Sequence, residues 1–188
     1  MRRVFYALVI AALVCSPVFG ASRTEMANMG TFISNFTELG MYDIDIDTVT
    51  QEELVHFGVW HNYINNRSSR IKRCPKKNCP YGELIIDRKY VAESVRKYFD
   101  VELDHTSTED EHYDGKVYHF AAADGIPDYA DVQEVSRKGN VITMRGEVYS
   151  SGGDEDKLAS FTATAKPYKF NGKNTWSILS LTTRWYNN

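Results

Sequence analysis

Thr50 and Glu53 stand three residues apart, the pairing of a helix-opening capping box, and the run behind them carries Leu54, Val55, Phe57, Val59, Trp60, Tyr63 and Ile64. At roughly 100° per residue these apolar side chains point in nearly every direction around a helix axis. A helix of that kind must be buried on most sides, which predicts a central rod with a sheet wrapped against it. Whatever else the chain forms has to cover this segment.

Two further helices are expected. Met26, Met29, Ile33, Phe36 and Leu39 follow the three-and-four spacing of one helix face from Thr24 onward, and Gly40 supplies a stop. The short apolar strand Leu84-Ile85-Ile86 leads into the third, with Asp87 as N-cap, Val91, Val95, Tyr98 and Phe99 on the inner face, and an end near Asp100. After Lys116 the pattern changes to strands at 117–123, 129–137, 141–151, 158–168 and 175–185. Gly125-Ile126-Pro127, Gly139-Asn140, Gly152-Gly153 and Asn171-Gly172 punctuate them as turns of a meander. In the middle strand Ile142, Met144 and Val148 share one face while Thr143, Arg145 and Glu147 take the other, so one face meets water. The expected fold is α+β, with three N-terminal helices packed on a curved antiparallel sheet of about five strands.

This order of elements resembles the cone-shaped domains of the nuclear transport factor 2-like family and, less closely, cystatin-like folds. The resemblance spans the chain from the helix at Met26 to the strand ending at Trp185, and includes the short strand at Leu84. It is one of organisation, without a residue-by-residue motif, and carries no catalytic residue with it. It implies a cavity at the open end of the cone, whose lining decides between chemistry and inert packing.

The address is written at the front. Arg2 and Arg3 precede an uncharged run over 4–15, which closes in Ser16-Pro17-Val18-Phe19-Gly20-Ala21. Basic, apolar and small segments in that order are the pattern of a secretory signal peptide, with cleavage expected after Gly20 and a single domain over 21–188. The run is shorter than the roughly 20 apolar residues a membrane span needs, and Pro17 interrupts it. A twin-arginine signal lacks its polar lead-in, and Cys15 follows Val14 rather than the small residue of a lipidation site. The expectation is a periplasmic or extracellular protein that is not integral to a membrane. Aromatic residues make up 13% of the chain, enough to close a core, which argues against long disorder. Formal charge is -3, and becomes two units more negative once Arg2 and Arg3 leave, which argues against general nucleic-acid affinity.

Cys74 and Cys79 survive in the mature chain, and in an exported protein such a close pair reads as one disulfide. Four residues separate them, against the two of a redox Cys-x-x-Cys, and the nearby sequence supplies no further zinc ligands. Around them Arg67, Arg70, Lys72, Arg73, Lys76 and Lys77 form a basic stretch, a candidate anion-binding loop for phosphate or carboxylate on an envelope polymer, a lipid headgroup or a partner protein. A solvated connector is the plainer reading of the same charges.

Among the histidines, His56 and His61 lie five apart, about 140° around the helix, and do not share a metal easily. His61 falls on the apolar stripe and reads as a hydrogen-bonded core residue. His119, between Val117 and Ala121 on one strand face, is the better pocket candidate, with Asp128 and Tyr129 as rim residues. Asp43, Asp45 and Asp47 open like a calcium loop, but Thr48 and Leu54 stand where Gly and Glu are needed, so an edge strand or extended linker is expected. The acidic stretch 100–114, with His105 and His112 in it, reads as a solvated loop rather than a metal site. Asn35-Phe36-Thr37 and Asn66-Arg67-Ser68 match glycosylation acceptors, the first on a predicted helix.

There is no Gly-x-Ser-x-Gly, no glycine-rich phosphate loop and no thiol left over once the cysteines pair. The reading is therefore a non-catalytic exported binding or interaction module, with no cofactor, whose partner is an envelope component, a small ligand or an extracytoplasmic protein. The alternatives are a pocket enzyme of hydrolase or isomerase type using His119 with a carboxylate such as Asp128, and an inhibitor that offers the Lys76-Lys77 loop to an extracytoplasmic hydrolase.

Overall fold

A computed structural model describes residues 21–123, 125, 127–151 and 156–186; the expected leader and the turn at Gly152-Gly153 lie outside them. Helix α1 (Arg23–Thr37) starts where the Ser22 hydroxyl accepts from the Glu25 amide. Helix α2 (Gln51–Asn65) opens on a reciprocal capping box between Thr50 and Glu53. A single helical turn, α3 (Arg67–Arg70), and strand β2 (Ile71–Arg73) follow. Strand β3 (Leu84–Asp87) runs directly into α4 (Arg88–Phe99), whose N-cap is Asp87 and whose C-cap, Asp100, is left-handed at φ 58°. No helix among the described residues is long and apolar enough to cross a membrane.

The molecule is α+β, but its strands form two antiparallel sheets rather than one. Strands β6 (Asp128–Lys138), β7 (Val141–Ser150), β8 (Lys157–Phe170) and β9 (Lys173–Trp185) make the expected meander. The fifth strand of that sheet is β1 (Ile44–Asp45), which pairs with β9 as an edge. The segment expected as the first meander strand, β5 (Val117–Phe120), belongs elsewhere: it pairs with β3 and with β4 (His112–Tyr113) in the order β2-β3-β5-β4. Alternation alone does not say which sheet a strand joins, and here four residues of β3 match four of β5, Leu84 opposite Phe120 through to Asp87 opposite Val117. Register shifts at Val132/Glu134, Val148/Tyr149 and Thr164/Ala165 mark bulges, which bend the strands of the larger sheet.

Helix α2 contributes to the cores of both sheets, where its apolar surface predicts a single wrapped one. Leu54 and Phe57 join the core over the larger sheet with Phe32, Phe36, Val95 and Phe99. Val55, Val59 and Tyr63 join a second cluster with Leu84, Ile86, Val91, Tyr118 and Phe120 over the smaller one. Trp60 packs against that second cluster with its ring 5.7 Å from Phe120. In β7 the buried residues are Ile142, Met144, Gly146 and Val148, the face that the alternation marks.

Candidate functional site

The smaller sheet brings a thiol pair onto a histidine. Cys74 closes β2, its amide donating to the Glu83 carbonyl at 2.7 Å, and the Gly82 amide donates to the Cys79 carbonyl at 3.4 Å. Gly82, at φ 114°, lies so flat on β5 that an added Cβ would sit 2.1 Å from the Phe120 carbonyl carbon. Only glycine allows that approach, and it lays the end of the loop 74–83 against the end of β5. There His119, 5% exposed, turns Nδ1 toward both sulfurs, 3.4 Å from Cys79 Sγ and 3.7 Å from Cys74 Sγ. Both cysteines are free thiols in the structure, where their spacing predicts a disulfide.

The other ring nitrogen, Nε2, lies 3.1 Å from Asp114 Oδ2. Asp114 sits in the turn between β4 and β5, and its second oxygen accepts from the amides of Lys116 and Val117, each at 2.9 Å. The Val117 amide and then His119 hold this carboxyl well below the usual carboxylate range. A carboxylate only accepts, so in the neutral ring the proton sits on Nε2 and the Nδ1 lone pair faces the sulfurs. Tyr81, half exposed, stacks on His112 at 3.6 Å between ring centres and flanks the site, His112 being the β4 residue opposite His119.

A second polar centre lies where the residue before β4 meets α2. Glu111, 1% exposed, accepts from Trp60 Nε1 at 2.6 Å and has His56 Nδ1 3.1 Å from the same oxygen, while Thr108 donates to its other oxygen. Burial pushes this carboxyl up, but the hydrogen bonds from His56, Thr108 and Trp60 outweigh it and leave the group below its ordinary value. It lines a cavity of about 540 Å³ together with Asp43, Glu52, Glu53, Glu109, Asp110 and Trp185. Leu39 and His56 also line a more apolar cleft of about 480 Å³, together with Trp60, Tyr63, Ile64 and Pro127. Glu38 on that cleft has one buried oxygen without a partner among the described residues, and burial raises its pKa.

The pocket trio expected from sequence is spread across the molecule. His119 is on the smaller sheet, while Asp128 and Tyr129 begin β6 of the larger one. Asp128 accepts from the Tyr42 hydroxyl at 2.5 Å, and Tyr129 stacks on Tyr149. The basic stretch also divides. Arg70 bonds Asn62 and Glu93 and lies over Tyr90, and Arg67 lies over Tyr63, so both are engaged by neighbouring side chains. Lys72, Arg73, Lys76 and Lys77 are exposed on and beyond the edge strand β2. His61 is buried in the core, stacked on Phe57, and burial lowers its pKa to about 3. Two functional groups escaped the sequence reading, Asp114 and Glu111, both hidden in an acidic run that suggested solvent. The turn signal Asp114-Gly115 between His112 and His119 was the available clue to the first.

No family model matches the chain, and no curated protein or solved structure is significantly similar to it. The chemistry of these two centres therefore rests on their own geometry.

Proposed function

We propose that the protein is an exported, non-catalytic binding module that holds a cationic group of an envelope component in the cleft beside Glu111. The observation that carries this reading is Glu111 itself: a carboxylate 1% exposed, kept ionised by donors from α2 and its own loop, in the lining of an open cavity. The described lining adds five more acids and no lysine or arginine. An amine or guanidinium entering there meets a preorganised anion with acids around it. The space between the helices and the larger sheet supports the non-catalytic part, because Phe32, Phe57, Tyr98 and Phe99 crowd around Phe36 with ring centres 5.2 to 6.0 Å from it. The leader accounts for export.

An oligolysine peptide is a suitable probe. It should bind the protein with an affinity that falls as salt rises, and the rim variant Glu52→Gln/Asp110→Asn should weaken it roughly fivefold, as expected for two partly exposed charges. Both rim residues are exposed, so the fold tolerates their neutralisation. Equal binding by the variant, or binding indifferent to salt, would contradict the reading.

A second reading, a hydrolase with a thiol nucleophile, draws on one specific observation. Asp114, His119 and Cys79 lie in the order carboxylate, imidazole, thiol, at 3.1 and 3.4 Å. In that reading Cys74 is a bystander.

A further inference from the structure

Among the described residues, one group of soft and borderline ligands converges: Cys74, Cys79 and His119 offer two sulfurs and one ring nitrogen that all lie within 4.8 Å of one another. We propose that these three side chains bind a thiophilic divalent cation of the zinc type, with Asp114 orienting the imidazole and a fourth position left to solvent or substrate. The proposal is independent of the cleft beside Glu111.

The distances have the right size. With zinc–sulfur and zinc–nitrogen bonds of about 2.3 and 2.0 Å at a tetrahedral angle, the nitrogen-to-sulfur edge is about 3.5 Å. The two edges here are 3.4 and 3.7 Å. A hydrogen-bond account handles them less well, since a neutral ring has one lone pair at Nδ1 and two thiols compete for it. A cation between the three atoms satisfies all of them at once. The tautomer agrees, because Asp114 holds the proton at Nε2 and leaves Nδ1 free to ligate, the carboxylate–histidine arrangement that raises ligand basicity in metal sites.

The framework that holds the three atoms together is already in place. The loop is pinned by the Cys74 amide on Glu83 and by the flat contact of Gly82 on Phe120, so closing the site needs little ordering of chain. Lys72, Arg73, Lys76 and Lys77 beside the cysteines are all exposed and leave the sulfurs to the imidazole. Three protein ligands with one open position is the pattern of zinc sites that do chemistry on a bound water or substrate, whereas structural sites use four.

The test is a cobalt titration of the purified protein kept reduced with a phosphine. One equivalent should bind, with an intense near-ultraviolet sulfur-to-cobalt band and the visible bands of a tetrahedral ion, and zinc should displace it. Cys74→Ser and Cys79→Ser should each remove most of the sulfur-to-cobalt intensity while far-ultraviolet circular dichroism stays unchanged. Asp114→Asn should keep the band but weaken binding about 10- to 100-fold, the usual effect of losing a partner to a ligating histidine. Reduced protein that takes up no cobalt overturns the proposal. So does cobalt uptake that is unchanged in Cys74→Ser, which would leave Cys79 and His119 to the nucleophile reading. Should a serine variant lose its fold, zinc-dependent protection of both thiols of the unaltered protein from iodoacetamide decides instead, and equal alkylation with and without zinc overturns it.

Discussion

His61 shows how a single residue ties burial to pH. Its ring is 5% exposed and stacks on Phe57, and desolvation, aided by Lys97 and Arg70, lowers its pKa to about 3. The unfolded chain titrates near 6.5, so the neutral buried ring contributes its full stability above that pH. As pH falls from about 6.5 toward about 3, the unfolded state gains a proton that the folded state refuses, and the contribution is lost. The urea midpoint of the unaltered protein should therefore drop further between pH 7 and pH 5 than that of His61→Gln. Parallel losses in the two proteins would show that His61 does not titrate in this way. The apolar stripe on which His61 sits was readable along the chain. Asp114 was not, because its role depends on the tight turn at Gly115, which folds β4 back so that His112 lies opposite His119 and the carboxylate meets Nε2.

At the scale of elements, caps announced α2 and α4, each of which begins just after the residue named, while periodicity alone announced α1, whose cap is Ser22, two residues before the expected start at Thr24. Strand partnership was less legible. β5 has the same alternating look as the meander strands, yet joins β3 because the chain between them, α4 and the loop after it, returns it beside the thiol loop. Helix α2 also carries a feature whose reason appears only in three dimensions, Gly58. A Cβ there would lie 2.5 Å from Val91 Cγ1 and 2.9 Å from the Val91 carbonyl oxygen, so glycine lets α2 and α4 approach closely. Gly58→Ala, which would raise helix propensity at an open site, should destabilise the protein by about 1–3 kcal/mol through overpacking. Chemical denaturation reads this directly, and an unchanged or raised midpoint would mean the two helices are free to separate.

For the whole molecule, the decisive arrangement is one helix between two sheets. Leu54 and Phe57 of α2 join the larger sheet's core while Val55 and Val59 join the smaller one's, so one helix contributes to both. The all-round apolar character of 50–64 anticipated this burial, whereas the number of sheets did not follow from it, because a buried rod can be covered by one bent surface or by two. The second sheet is what gathers the three possible ligands. It holds β2, β3 and β5 in register, and with them Cys74, Cys79 and His119 around one point. Zinc-edge X-ray absorption of the reduced protein loaded with one equivalent of zinc reads that point directly. The expected first shell has two sulfurs at about 2.3 Å, one imidazole nitrogen at about 2.0 Å and one light atom from solvent. A shell of nitrogen and oxygen alone, with no sulfur, would contradict it.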